Sequence, residues 1–156
     1  MLDTLRISEI FYSLQGESST VGLPTVFVRL TGCPLRCVYC DTSYAFSGGT
    51  KMAFEAIFAE VEKYRCRHVC VTGGEPLAQS ACIPLLANLV DLGYLVSLET
   101  SGSLDVSKVD LRVTKVMDLK TPSSGEMDKN RYENIAFLST QDEVKFVIAG
   151  EEDYNW

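Results

Sequence analysis

Hydrophobic and polar positions along the chain follow two periods in turn. Thr25 to Leu30 (Thr-Val-Phe-Val-Arg-Leu) is rich in β-branched and aromatic residues and predicts a strand. From Lys51 to Tyr64 the apolar residues Phe54, Ile57, Phe58 and Val61 fall at i, i+3, i+4 and i+7, predicting an amphipathic helix. His68 to Thr72 is a short apolar strand running into Gly73-Gly74. A second helix is expected over Gln79 to Leu92, with Leu85, Leu86, Leu89 and Val90 as its buried stripe and Gly93 just past its end. Tyr94–Glu99, Val113–Met117 and Glu143–Ile148 read as three further strands. Strand–helix–strand order predicts an α/β fold on a parallel sheet, with ligands gathered at the carboxyl ends of the strands. Thr121 to Asn134, containing Pro122, Ser123, Ser124 and Gly125, reads as a mobile loop. The chain ends at Asp153-Tyr154-Asn155-Trp156, soon after a strand and with no closing helix in the pattern. A parallel sheet bare on one face exposes apolar surface, so a missing C-terminal portion is expected.

Length and composition narrow this picture. At 156 residues the chain is expected to be a single domain, residues 1–156, with room for a core but little for a complete barrel. Basic residues number 14 against 21 acidic ones, a net charge of −7 with no basic stripe. Phosphate neutralisation supplies most nucleic-acid affinity, so direct nucleic-acid binding is not expected. No apolar run is long enough to span a bilayer, and Met-Leu-Asp-Thr-Leu-Arg lacks the basic-then-apolar order of a signal peptide. The cytoplasm is therefore the default location, and no membrane partner is expected. Six cysteines in such a chain point to metal or redox chemistry rather than a disulfide framework.

Gly32-Cys33-Pro-Leu-Arg-Cys37-Val-Tyr-Cys40 carries the spacing C-x3-C-x2-C in the loop after the Thr25–Leu30 strand. Three thiolates on one loop can hold three irons of a [4Fe–4S] cubane, leaving the fourth iron open to a small molecule. A structural zinc site wants four closed ligands, so the zinc reading needs His68 or Cys66 as the fourth; inert buried thiols are a third reading. Cys66 and Cys70 repeat the x3 spacing, but Cys70 lies inside an apolar strand where a small buried side chain is expected.

The cysteine loop after a strand, followed by Gly73-Gly74-Glu75-Pro76 after another, resembles the radical S-adenosylmethionine superfamily. The resemblance implies a partial parallel (β/α) barrel, here lacking its C-terminal closing elements. It also implies a [4Fe–4S] cluster whose open iron is chelated by S-adenosylmethionine, which an electron cleaves to a 5′-deoxyadenosyl radical. Gly74 and Glu75 would hold the methionine amino group. Polar groups at Glu99-Thr100-Ser101-Gly102 and Asp118-Leu119-Lys120 follow two further strands and could bind ribose and carboxylate, or simply cap the strands.

Phe11-Tyr12-Ser13-Leu14-Gln15-Gly16-Glu17, Arg29 and Cys40-Asp41-Thr42 sharpen this. With the motifs above they resemble the 7-carboxy-7-deazaguanine synthase family from about Ile7 to Ile148. That likeness implies conversion of 6-carboxy-5,6,7,8-tetrahydropterin to 7-carboxy-7-deazaguanine with loss of ammonia, on the route to queuosine. By position, Leu14, Gln15, Gly16 and Thr72 would contact the pterin. Arg29 would pair with its carboxylate and Thr42 would ligate Mg²⁺. Gly74, Ser101, Asp118, Leu119 and Lys120 would lie against S-adenosylmethionine. Taken singly, Arg29 also fits a plain ion pair and Thr42 a cap. Many relatives carry Ser-Pro-Lys where this chain has Asp118-Leu119-Lys120. A flavodoxin or ferredoxin as reductant and a homodimer are implied in the same way. The rival readings are a glycyl-radical activating enzyme, against which Leu14–Glu17 and Asp41-Thr42 speak, and a noncatalytic iron–sulfur regulatory module.

Overall fold

The structure, a computed structural model, describes residues 4–156; Met1–Asp3, part of the stretch read for a signal peptide, lie outside them. Among the described residues seven strands form one mixed sheet: β1 (Thr4–Leu14), β2 (Pro24–Leu30), β3 (Thr50–Ala53), β4 (His68–Gly73), β5 (Leu95–Thr100), β6 (Thr114–Asp118) and β7 (Glu143–Lys145). Their order is β3-β1-β2-β4-β5-β6-β7. The strands β2, β4, β5, β6 and β7 run parallel, while β1 pairs antiparallel with both β2 and β3. The sheet does not close on itself, so the expected partial barrel is present.

Helices α1 (Phe54–Glu62) and α2 (Cys82–Asp91) pack on one face. Phe54, Ile57 and Val61 of α1 and Leu85, Leu86 and Leu89 of α2 meet Val26, Val28, Leu30, Val69, Val71 and Leu98 of the sheet in the core. Side chains alternate along a strand, so the neighbours Arg29, Thr72 and Glu99 point to the opposite face. Burying this apolar face stabilises the sheet by about 25 cal/mol per Å². It thereby fixes which residues face away from the helices.

Several sequence expectations shift. The whole of β1 escapes the alternation pattern because a bulge between Ile7 and Glu9 changes its facing residues partway along. Leu5 and Ile7 sit in the helix-covered core, whereas Glu9 and Phe11 lie opposite Arg29 and Phe27. The first helix starts at Phe54 rather than Lys51, since Thr50–Ala53 are drawn into a ladder with Thr4–Ile7. The second helix starts at Cys82, because Gln79 is held off the helix by bonds to Arg6 and to the carbonyl of Thr31. Its C-terminal end matches expectation, with Gly93 at φ +91°.

β7 stops at Lys145, opposite Asp118, where β6 itself ends and the ladder runs out of partners. The segment Thr121–Asn134, expected to be a mobile loop, is instead folded into 3-10 turns with Thr121, Ser124 and Asn134 buried. Asn134 Nδ2 donates to the carbonyls of Gly102 and Leu104, and the backbone N–H of Ser123 donates to Asp153. Asp153 belongs to α3 (Glu151–Asn155), a short helix absent from the sequence pattern, of which it is the buried residue. Along this edge Val144, Phe146, Ile148 and Trp156 remain 40–48% exposed, the uncovered apolar surface that an open sheet predicts. Among the described residues no helix is long and apolar enough to cross a membrane.

Candidate active site

A cavity of about 450 Å³ lies on the uncovered face at the carboxyl ends of the parallel strands. Cys33, Cys37 and Cys40 all line it, carried by the loop after β2. That loop is locked against the end of β4. A Cβ on Gly74 would stand 2.2 Å from the Gly32 carbonyl oxygen and 2.9 Å from Cys33 Cβ, so no other residue fits there without movement. The backbone N–H of Glu75 donates to the Gly32 carbonyl at 2.7 Å and completes the contact. From the far side Val38 N–H donates to Ser124 O, and Arg36 Nη1 donates to the carbonyls of Cys33 and Leu35. The Arg36 guanidinium lies 4.2 Å from the centre of the Phe46 ring.

Burial pushes the thiol pKa of Cys33 up, only partly offset by the Leu35 N–H that donates to its sulfur at 3.4 Å. Burial pushes Cys37 up as well, with Lys120 opposing. Iron ligation requires thiolates, so loading the loop expels protons that the free thiols would otherwise keep. The zinc reading fails on position. Cys66 Sγ donates to the carbonyl of Pro24, the first residue of β2, and His68 begins β4. Both stand at the amino ends of strands whose carboxyl ends carry the cysteine loop. Cys70 is buried, as expected of a small side chain in an apolar strand, and Cys82 is buried as well.

Gly74, Ser101, Asp118 and Lys120 line the cavity. Asp118 Oδ1 and the Tyr39 hydroxyl are buried there with no hydrogen-bond partner among the described residues. An orphaned acceptor on a cavity wall suits a ligand that brings hydroxyl or amino donors. The other oxygen, Oδ2, accepts from Lys120 Nζ at 3.0 Å. Burial works against the charge on Lys120, but Asp118 beside it prevails and the pKa is raised. Glu75 does not reach the cavity. It is fully buried, and its carboxylate accepts from the Leu77 N–H, the Thr100 hydroxyl, and the N–H and hydroxyl of Ser101 at 2.6–3.0 Å. It acts by fixing Ser101. Leu119 is likewise buried beneath Gly102 rather than on the wall. The donor set fits the implied groups: three cysteines for a cluster, a close glycine backbone, and polar side chains around the adjoining space.

Arg29, Thr72 and Thr42 line the same cavity. Thr72 donates to Glu99 Oε2 at 2.8 Å, and Gln15 Nε2 donates to Glu99 Oε1 at 3.2 Å. Glu99 thus holds two of the residues expected to meet the pterin. Gln15 is buried behind it, while Leu14, 63% exposed, and Gly16 are not among the described residues lining the cavity. Thr42 donates to Asp41 at 2.7 Å, which sets two hard oxygen atoms side by side. Arg29 Nε donates to Glu9, whose same oxygen accepts from Tyr44; the Tyr44 bond, ahead of the opposing burial and the Arg29 contact, lowers the Glu9 pKa.

Lys145 and Glu17 complete the wall as an ion pair of 2.6 Å, with Asp118 3.7 Å from the same ammonium. Burial disfavours the charge on Lys145, and its partners Glu17 and Asp118 outweigh that to raise the pKa. Glu9, Lys145 and the hub role of Glu99 are what sequence reasoning missed. Glu9 follows a bulge, Lys145 ends an edge strand, and Glu99 was visible in its motif without its partners.

Known proteins similar to this chain bear on its family. The Radical SAM superfamily family model matches residues 27–118. A 7-carboxy-7-deazaguanine synthase of Koribacter versatilis is 47% identical over 97% of this chain and 68% of its own length. The namesake of Chlorobaculum tepidum is 48% identical over 97% of this chain and 70% of its own length. That of Methanospirillum hungatei is 41% identical over 97% and 64%. The crystal structure of QueE from Escherichia coli superposes with a TM-score of 0.70 at 22% identity, over 92% of this chain and 84% of that one, and supports the fold. With the cysteine loop, the Gly-Gly turn and the polar side chains lining one cavity, the chain belongs to the 7-carboxy-7-deazaguanine synthase family of the radical S-adenosylmethionine superfamily.

Proposed function

We propose that this chain, as one domain, converts 6-carboxy-5,6,7,8-tetrahydropterin to 7-carboxy-7-deazaguanine with loss of ammonia, in queuosine biosynthesis. The observation that carries the reading is the meeting of cysteine loop, glycine turn and Arg29 on one 450 Å³ cavity in a chain 47% identical to a synthase of that name. Held by Cys33, Cys37 and Cys40, the cluster with S-adenosylmethionine would supply radical chemistry for hydrogen abstraction from the pterin at C6.

The chain's own groups bind and orient. Arg29 offers a planar fork to the substrate carboxylate. Thr72, steadied by Glu99, and Gln15 behind it set the floor on which the pterin ring rests. Gly74 gives the methionine amino group a close approach, with Ser101, Asp118 and Lys120 receiving the rest of S-adenosylmethionine. Thr42 and Asp41 supply oxygens for Mg²⁺, whose remaining positions suit water and substrate oxygen. We further read the protein as cytoplasmic, homodimeric, and reduced by a flavodoxin or ferredoxin. A glycyl-radical activating enzyme or a noncatalytic module would leave Arg29, Thr72 and the Asp41–Thr42 pair without a task.

The test is anaerobic reconstitution with iron and sulfide, reduction, and addition of S-adenosylmethionine, Mg²⁺ and the carboxypterin, with products read by mass spectrometry. The expected result is 7-carboxy-7-deazaguanine, lost in Cys37→Ala. Formation of 5′-deoxyadenosine without that product would overturn the substrate assignment.

A further inference from the structure

Arg29 is held from three sides, and none of the groups that hold it has so far been given a task. Glu9 stands opposite it on β1 and accepts from Nε at 2.8 Å. The Phe11 ring lies 5.7 Å from the guanidinium carbon and the Tyr44 ring 6.0 Å away. Phe11 is itself stacked on Phe27 with centroids 4.9 Å apart, so the ring wall behind the guanidinium is backed by the sheet. Tyr44 donates its hydroxyl to the same Glu9 oxygen at 2.7 Å. Tyr44 comes from the turn that follows Cys40-Asp41-Thr42, so one carboxylate oxygen joins Arg29 to the loop bearing the last cysteine.

The bond uses the side edge of the guanidinium. The two terminal nitrogens have no hydrogen-bond partner among the described residues, and Arg29 lines the cavity with a side chain 17% exposed. A free arginine side chain loses about 2 kcal/mol of rotamer entropy on being ordered. A carboxylate at Nε and two aromatic rings near the guanidinium carbon pre-empt that loss and leave the terminal edge for two parallel bonds to a planar anion.

We propose that Glu9, braced by Tyr44, is a positioning residue that aims the Arg29 fork into the cavity and thereby makes the site select pterins carrying a carboxylate. The inference rests on the reading above that Arg29 meets the substrate carboxylate. It adds that discrimination resides in Glu9 as much as in Arg29. An ordinary cross-strand ion pair would contribute to the sheet alone and would affect every ligand alike.

The test is equilibrium binding to the reconstituted full chain with S-adenosylmethionine present, comparing 6-carboxytetrahydropterin with tetrahydropterin lacking the carboxylate. Glu9→Ala is expected to weaken the carboxylated ligand about tenfold, with the uncarboxylated one unchanged within about twofold. Glu9→Gln, which keeps an acceptor for both Nε and Tyr44, should stay within about threefold of the parent. In an Arg29→Met background Glu9→Ala should have no further effect. Equal weakening of both ligands, no weakening of either, or additivity with Arg29→Met would overturn the inference. A parent protein that shows no preference for the carboxylated pterin would overturn the substrate reading, and this inference with it.

Discussion

Glu75 and Gly74 show how single residues decide the site without touching much of it. Glu75 is fully buried and satisfies Thr100, Ser101 and the start of the turn at Leu77. Glu75→Gln keeps the shape but converts an acceptor facing two hydroxyls into an amide that must place a donor among donors. It should cost about 2 kcal/mol in chemical denaturation. Gly74 has the opposite kind of constraint, set by space rather than charge. Gly74→Ala puts a methyl 2.2 Å from the Gly32 carbonyl oxygen. The cysteine loop must then shift, so a lower yield of reconstituted cluster by iron content and absorbance is expected, with the fold retained by circular dichroism. Both residues stood out in the sequence as part of one motif. Their different tasks did not, because those depend on what β2 and β5 bring against them.

Among the elements, β6 is joined to the turn that leads into β7 by a pair that periodicity could not supply. Lys115 Nζ lies 2.9 Å from Asp142 Oδ2, with side chains 1% and 0% exposed. Burial opposes ionisation of Asp142, but the backbone N–H groups of Lys115 and Ser139 and the Lys115 ammonium prevail, and its pKa is lowered. A carboxyl with a lowered folded pKa contributes stability that is present above the ordinary carboxylate range and lost as pH falls through the folded value. Denaturation midpoints should therefore drop on acidification below about pH 4, and that acid sensitivity should be weaker in Asp142→Asn. Asp142→Ala leaves a buried ammonium unpaired and should destabilise by about 3–5 kcal/mol in urea titration. β7 itself was expected to run on to Ile148. It stops where β6 stops, because a strand is defined by its neighbour as much as by its own residues.

At the scale of the molecule, the open sheet is bridged by side chains rather than by further strands. The loop between β1 and β2 reaches β7, four strands away from β2 in the sheet order. There Glu143 accepts from the N–H and hydroxyl of Ser19 at 2.6–3.1 Å, and Lys145 pairs with Glu17. This strap carries Gln15–Glu17, of which Glu17 lines the cavity. Glu143→Ala should raise amide exchange in residues 16–22 while leaving β2, β4 and β5 protected, read by hydrogen–deuterium exchange. Protection unchanged in that loop would show that the strap does not hold it.

Much of this protein could be read without coordinates. The parallel strands, both long helices, the cluster loop and the Gly-Gly turn are local patterns, written in period and spacing over a few residues. Cys33, Cys37, Cys40, Arg29, Thr42, Thr72, Gly74, Ser101, Asp118 and Lys120 were all named from the chain, and all line the same cavity. Other features depended on partners far away in sequence. The bulge hid β1 and with it Glu9, and the ordered turns after Thr121 are held by Asp153 and by the carbonyls of Val147, Gly102 and Leu104. Tertiary structure alone put Glu75 behind the wall and made Glu99 a hub for Gln15 and Thr72. It also set Lys145 between Glu17 and Asp118. Spacing along a chain specifies which groups share a loop or a face, but which buried charge meets which donor is decided when separate strands come together.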